Sequence, residues 1–461
     1  MRRENEFLYS KLAQILREQI MSGYIKPGQF LLSENELCKF YGMSRTSVRK
    51  ALEQLAYEGL IVKKVGQGTI VSPDLTIPAA QEKTTLRILA TAPSHFVDSG
   101  MPYLIEQFQQ THPDVEIKVL GFPAFDFSES ILFSGEQGIY PDLILGTDRQ
   151  FAEMTEKHMF LDLLPYFSDS FAGLYPRLLE AFQTDKKLVA APATFSTVYL
   201  AYNSSLFEKH GVTLPDGEWS TEDFIAASKR LTADTDGDGI TDQFGFSLAT
   251  SFGRWPVLAL QNGVRFDAST QREDVLRTLQ FLHEILYKHR CASLYPFTRL
   301  LNSEAFVLGK AAMILTTAIE LAGLRRLNLS FEPKVAPLPF GHKKATQLVA
   351  NLFLIPETAP HKQLAVEFLQ TMYDPQIQKR IGQEARFISV FPEINEQLWS
   401  QPYLESLNIT KKKMEEAYFS FELFDNYALI EELEAEMEMF WCGMESAASF
   451  TDKLMSIIRR K

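Results

Sequence analysis

The sequence has little of what would place it outside a reducing compartment or inside a bilayer. Its three cysteines, Cys38, Cys291 and Cys442, are far apart and odd in number. Such a set cannot build a disulfide framework, and there is no C-x-x-C pair to hold zinc. No apolar run approaches the ~18 residues that a membrane span needs. The opening MRRENEFLYSKLAQILREQI is charged and amphipathic, without the apolar stretch and small-residue cleavage site of a secretory signal. The expectation is therefore a cytoplasmic protein with no membrane partner. Catalytic signatures are missing too: G-x-S-x-G, a P-loop and H-E-x-x-H are all absent, and His283, Glu284 and His289 have the wrong spacing for a metal-binding pair. No short internal repeat or low-complexity tract interrupts the chain.

At 461 residues the chain exceeds the ~250 to 300 residues at which single cores stop growing, so two or three domains are expected. Apolar residues at 46% and charged residues at 23% match folded globular proteins. The net charge of -12 hides an asymmetry. Residues 1–75 hold 11 Lys and Arg against 8 Asp and Glu, and the remainder holds 35 against 50. A basic head thus precedes an acidic body, and an anionic partner such as nucleic acid suits the head alone.

Within the head, Leu8, Leu12, Ile15, Leu16 and Gln19 recur at helical spacing, and Gly23, Pro27 and Gly28 end that helix. Ser33 with Glu36 forms a capping-box signature for a short second helix that ends at Tyr41 and Gly42. Ser44 caps a third, whose Val48, Leu52 and Leu55 turn inward and leave Arg45, Ser47, Arg49 and Lys50 for other faces. Two short helices joined by a Gly-containing turn, the second basic at its start, suit reading of a major groove. Residues 60–65 and 69–71 flank Gly66, Gln67 and Gly68 as a hairpin with Lys63 and Lys64 beside its tip. An arginine can grip guanine bidentately, and a glycine at the tip lets backbone approach closely.

The order of a helix, the SENEL helix, the MSRTSVRKALEQLAYEGLI helix and the VGQGTIV wing, over about residues 7–72, resembles the winged-helix DNA-binding domain of GntR-family transcription regulators. The resemblance implies DNA contact from Arg45, Thr46, Ser47, Arg49, Gln67 and Gly68, with Lys50 and Lys64 as basic neighbours. It implies double-stranded operator DNA as partner.

A Pro-containing linker, about residues 76–85, leads into the body. There Leu86–Ala90, Val115–Val119 and Leu143–Leu145 read as strands that alternate with helices, the pattern of a mostly parallel sheet covered on both faces. Ligands of such sheets bind beyond the carboxyl ends of the strands. That rule selects His95 after the first strand, Phe125 and Asp126 after the second, and Asp148 and Arg149 after the third. Asp148 and Arg149 side by side can accept from and donate to neighbouring sugar hydroxyls.

The phrases YPDLILGTDRQFAEM, LVAAPATFSTVYLAYNSSLFEKHGV, WSTEDFIAASKRLTADTDGDGITDQFGF and GKAAMILT resemble the bacterial extracellular solute-binding proteins of the maltose-binding type. This likeness covers about residues 86–461. It implies two α/β lobes that close over a ligand, lobe 1 from about 86–195 and 348–395 and lobe 2 from about 197–345 and 396–461. It adds Ser196 at the first crossing, Asn351 after the return strand and Trp255 as a stacking surface. The fold class expected is thus multidomain, an N-terminal winged helix-turn-helix (α+β) followed by a two-lobed α/β body, with closure about Ser196 and Gly341.

Asp234, Asp236, Asp238 and Asp242 place carboxylates at alternate positions around Gly239, with the carbonyl of Ile240 between, a spacing that wraps oxygens about a hard cation such as Ca²⁺. The loop departs from an EF-hand, whose twelfth position is Gly245 here. No other cofactor is expected. An alternative body, a pyridoxal-phosphate aminotransferase, needs a Schiff-base lysine in a small-residue setting, and residues 193–199 offer none. The sequence thus reads as a homodimeric, non-enzymatic transcription regulator that senses a small polar solute, most simply a saccharide.

Overall fold

The computed structural model describes all residues except 1, 22, 65–67, 76–83, 124–126, 128, 132–139, 155–156, 172, 296–303, 328, 411–413, 425–426 and 461. Three helices open the head: α1 (Arg2–Met21), α2 (Glu34–Tyr41) and α3 (Arg45–Tyr57). Leu12, Leu16 and Ile20 of α1 pack with Leu37, Val48, Leu52 and Leu55 in one small core, and Gln19 is buried. The start of α2 is fixed by a reciprocal cap, in which the Glu36 N–H donates to Ser33 Oγ and the Ser33 N–H donates to the Glu36 carboxylate. It stops where Gly42 adopts the left-handed conformation, φ 60°. Strands β1 (Ile61–Lys64) and β2 (Gly68–Val71) pair antiparallel as the wing, and Phe30 bridges to Ile70 from the other side.

Among the described residues the body carries two large sheets and a small antiparallel pair, Gln183–Thr184 with Lys187–Leu188. The strands of the large sheets are β3 (Thr84–Ala92), β4 (Val115–Pro123), β5 (Leu143–Thr147), β6 (Ala191–Thr197), β7 (Tyr199–Tyr202), β8 (Phe244–Ala249), β9 (Ala292–Tyr295), β10 (Ala311–Thr316), β11 (Lys334–Ala336), β12 (Thr346–Leu354) and β13 (Ala417–Phe419). The lobe 1 sheet runs β13-β12-β5-β3-β4, with β6 also paired to β12. Strands β3, β4 and β5 are mutually parallel, as the alternating sequence pattern requires, and β12 runs against β5. The lobe 2 sheet runs β9-β8-β10-β7-β11, and β8 is parallel to both β9 and β10.

Between the lobes the chain crosses at Val198, whose N–H donates to the Gln347 carbonyl while Thr346 Oγ1 donates back to the Val198 carbonyl at 2.7 Å. Two crossings therefore run side by side. A third follows β13, and it moves a boundary read from sequence. Leu404, Leu407, Ile409, Met414, Ala417 and Phe419 lie in the cluster that holds the lobe 1 strands, β13 pairs with β12, and, apart from Tyr418, side chains join the lobe 2 cluster from Leu423 onward. The return to lobe 1 thus extends to about residue 419 instead of 395. Gly341 is not at a crossing. A Cβ there would stand 2.2 Å from the Gln261 carbonyl oxygen, so the glycine belongs to close packing inside lobe 2.

The head rests on lobe 1. Tyr24 and Phe122 are buried in one apolar cluster with Ile25 and Phe40 packed against it, and the Phe40 and Phe122 rings meet edge to face at 5.8 Å. Phe122 belongs to β4, the edge strand, so the head covers a sheet margin that would otherwise be open to pairing.

Candidate functional site

The head presents its cations on α3 and the wing. Arg45, Thr46, Arg49 and Lys50 are exposed at the start of α3, and Lys63, Lys64 and Gly68 are exposed on the wing. Lys50 Nζ lies 5.4 Å from the Tyr9 ring centroid. Arg49 Nε donates to Glu34 Oε2 at 2.7 Å, and Lys63 Nζ sits 3.6 Å from the same carboxylate. Ser47 departs from the sequence expectation. It is buried, its N–H donates to Ser44 Oγ, and its hydroxyl lies 3.0 Å from that oxygen. The cap that starts α3 draws it inward and off the basic face. Gln67 lies outside the described residues.

In the body, His95, Asp148, Ser196 and Asn351 lie at or beside a seam that is packed shut. Helix α4 (His95–Ser99) and helix α5 (Asp148–Glu153) face it from lobe 1, and helix α6 (Ala318–Leu324) faces it from lobe 2. The Ala318 N–H donates to Ser196 Oγ at 2.7 Å, which joins the start of α6 to the end of β6. Arg326 Nη1 reaches Asp98 Oδ2 at 3.3 Å, a second link across the lobes. Phe306, Ala318, Leu321 and Leu324 of lobe 2 are buried in the same apolar cluster as the lobe 1 strands.

Asp148 caps this arrangement. Its Oδ1 accepts from the Ala350 N–H at 2.9 Å, and burial pushes its carboxyl up to about 7, against the opposing pull of that N–H and of Arg254. Arg254 and Glu320 form an ion pair that is buried in lobe 2, each less than a tenth exposed. Thr316 Oγ1 donates to the other Glu320 oxygen at 2.7 Å. Tyr199 and Tyr295 feel both charges, and burial raises each phenol above its ordinary value. Neither Arg254 nor Glu320 was selected from sequence. They stand 66 positions apart, and no local motif joins them.

Among the described residues, several buried polar atoms at and around the seam have no hydrogen-bond partner. They include His95 Nε2, Tyr199 Oη, Ser251 Oγ and Asn351 Nδ2. Asn351 and Ser196 are buried, and His95 is half-buried. Arg149 faces outward. Its side chain is 53% exposed and donates through Nε to Glu153 at 2.9 Å, four residues along α5. The helix that holds Asp148 inward turns its neighbour outward. Trp255 is also corrected: it is 1% exposed and packs edge to face with Phe252, Phe266 and Trp441 in the lobe 2 core, with no ring face toward a ligand. Phe125 and Asp126 lie outside the described residues.

The acidic loop draws three carboxylates together. Oxygens of Asp234, Asp236 and Asp238 lie within 4.8 Å of one another. Asp234 accepts from the Gly237 and Gly239 N–H groups, which hold its carboxyl below the usual range. Asp242 stands apart from the cluster and is bound to the Thr235 N–H and hydroxyl. The twelfth position is glycine for a packing reason. Gly245 opens onto Ser228, whose carbonyl oxygen would be 2.1 Å from any Cβ.

Family comparison resolves the body. The profile of the bacterial extracellular solute-binding proteins matches residues 93–379, more than half of the chain. The chain belongs to the bacterial extracellular solute-binding protein family. The gntR-family profile of bacterial regulatory proteins matches residues 8–71, so a GntR winged helix is joined to this solute-binding body. The HTH-type transcriptional regulator YurK of Bacillus subtilis is 45% identical over 69 residues, 15% of this chain and 28% of YurK. The mannosyl-D-glycerate transport/metabolism system repressor MngR of Escherichia coli is 40% identical over 67 residues, 14% of this chain and 28% of MngR. The chain thus spans under a third of these curated relatives, the DNA-binding head alone. The solute-binding body is similar in fold to the ABC substrate-binding protein Lmo0181 of Listeria monocytogenes, solved with cycloalternan. There the TM-score is 0.67 at 20% identity, over 82% of this chain and 99% of that one.

Proposed function

We propose that this solute-binding chain is a ligand-responsive transcription regulator, acting in the cytoplasm as a homodimer on an operator and sensing a saccharide between its lobes. The observation that carries the sensing half is the set of buried, unpartnered polar atoms His95 Nε2, Tyr199 Oη and Asn351 Nδ2. A buried donor without a partner costs about 1 to 3 kcal/mol. A polyhydroxyl molecule supplies both donors and acceptors to such groups, with Asp148 accepting from one hydroxyl and Ser196 near the crossing. The repression of sugar-related systems by relatives such as MngR supports the same reading.

The DNA half rests on Arg45, Thr46, Arg49 and Lys50 at the start of α3 and on Lys64 and Gly68 of the wing, all exposed. Two such heads meet successive major-groove faces about 34 Å apart. Closure of the lobes changes the separation of the heads if lobe 2 contributes to the dimer contact, and a ligand that favours one state shifts the balance. Melting of the full chain against a panel of mono- and oligosaccharides tests the sensing reading, because selective binding to the folded state raises the melting temperature. A panel that moves it nowhere removes the saccharide.

A structural Ca²⁺ at the acidic loop is a separate part of this proposal. Asp234, Asp236 and Asp238, with the Ile240 carbonyl, would hold the ion by oxygen ligands alone, the donor set a hard cation takes. Asp242 would act by holding Thr235 and the shape of the loop.

A further inference from the structure

Glu34 is an acidic residue in the middle of a basic surface. It opens α2, yet it reaches two cations on two other elements, Arg49 of α3 at 2.7 Å and Lys63 of the wing at 3.6 Å. A carboxylate facing the phosphates of DNA is unfavourable by simple charge repulsion. Capping does not call for it, because the Ser33 and Glu36 pair already closes the start of α2. Exposed ion pairs of this kind contribute ~0 to 1 kcal/mol to folding. Arg49 is 61% and Lys63 55% exposed, so both cations stay open to a partner.

The geometry of the pair explains the placement. Glu34 takes the Nε–H of Arg49, the inner edge of the guanidinium. A guanidinium has five N–H donors in a rigid fork. With Nε held, the two terminal nitrogens remain as an end-on pair of donors, the arrangement that meets O6 and N7 of a guanine. A long arginine side chain carries ~2 kcal/mol of rotamer entropy, and a fixed Nε removes part of that loss before DNA arrives.

We propose that Glu34 is a positioning residue for DNA reading: it aims the terminal nitrogens of Arg49 at a base edge and ties the wing to α3 through Lys63. The proposal rests on the DNA-binding reading of the head. It assigns to Glu34 a contribution to sequence preference, and not to general affinity, since the carboxylate lowers the positive charge of the surface.

The test uses the full chain and a duplex selected from a random pool by the wild-type protein, with poly(dI-dC) as the non-selected comparison. Glu34→Gln should bind the selected duplex about tenfold more weakly. It should bind poly(dI-dC) equally or more tightly, because one negative charge is gone. In an Arg49→Ala background the same substitution should bring no further loss on the selected duplex. Glu34→Asp keeps the negative charge at the start of α2 but withdraws the carboxylate by one methylene, so it should also lose selectivity; a role through the helix dipole would spare it. Wild-type or tighter binding of the selected duplex by Glu34→Gln, with Arg49→Ala weakened, overturns the proposal and leaves the DNA reading standing. An equal loss in the Arg49→Ala background overturns it too. Arg49→Ala at wild-type affinity brings down the DNA reading itself.

Discussion

The imidazole of His95 in lobe 1 lies against the backbone of Gly323 in lobe 2, so close that a Cβ on the glycine would stand 2.1 Å from the ring Cε1. Real side chains do not approach to that distance, so a methyl group at Gly323 must displace the His95 ring or open the seam. Gly323→Ala should hold the lobes apart. Small-angle scattering should give a larger radius of gyration than the wild type, and a saccharide that stabilises the wild type should lose its thermal shift. A wild-type scattering curve would show that the seam tolerates the methyl group.

Asp148 makes stability depend on pH in an uncommon direction. Its folded value of about 7 lies above the ordinary 3.8, so the native state holds this proton more tightly than the unfolded chain. The stability it contributes is complete below ~pH 4 and is lost as pH rises through 7, with a slope of at most about 1.4 kcal/mol per pH unit. Urea unfolding between pH 5 and 8 should show this fall in the wild type and a flatter profile in Asp148→Asn. Parallel profiles would remove Asp148 as its source.

Arg49 and Arg149 look alike in sequence, each a cation near the start of a helix, and the structure separates them. Arg49→Ala should weaken operator binding by ~1 to 3 kcal/mol and relax preference at one base pair. Arg149→Ala should leave saccharide binding intact and change stability by under ~1 kcal/mol, because its side chain is 53% exposed and pairs with Glu153 along its own helix. Titration of both variants with DNA and with saccharide checks the contrast, and a lost saccharide response in Arg149→Ala would return that residue to the seam.

Local rules made the head readable. Ser33 with Glu36, Ser44 and Gly42 fix the ends of α2 and α3 within a few residues of chain, and the structure puts those ends where the capping signals lie. Strands β3 and β5 were equally plain, because buried parallel strands are largely apolar runs, and β4, at the sheet edge, shows instead the alternation VEIKV of a half-buried strand. What stayed hidden is what depends on distance along the chain. The Arg254 and Glu320 pair joins two segments of lobe 2, the inward turn of Trp255 depends on Phe266 and Trp441, and the third crossing near residue 420 carries no periodic signal. Arg149 could have been read correctly, since Glu153 stands four residues on. Ser47 is a choice between cap and surface that sequence alone does not make.

The head and lobe 1 should move as one body. Phe122 is 5% exposed, and its ring meets Phe40 of α2. Phe122→Ala removes a buried aromatic and should lower stability by roughly 3 kcal/mol. It should also free the head. Spin labels at Glu53→Cys and Gln109→Cys, with the native cysteines replaced by serine, should give a narrow distance distribution in the parent chain and a broad one with Phe122→Ala. A narrow distribution in both would mean that the Phe122 ring is not what holds the head on β4.

The acidic loop offers a prediction that separates a metal site from a solvated turn. If Asp234, Asp236 and Asp238 hold Ca²⁺, the ion binds the folded loop and stabilises it by mass action, so the melting temperature of the chain should rise with Ca²⁺ and fall again with chelator. Asp236→Asn should abolish the response at little cost to the metal-free protein, because this carboxylate is exposed and accepts from the Asp238 N–H at 3.3 Å, a bond an asparagine oxygen can replace. Asp242→Asn should instead weaken the loop even without the ion, since Asp242 binds Thr235 through both its N–H and its hydroxyl. Melting that ignores Ca²⁺ in the wild type would leave the loop as a turn closed by its own backbone N–H groups.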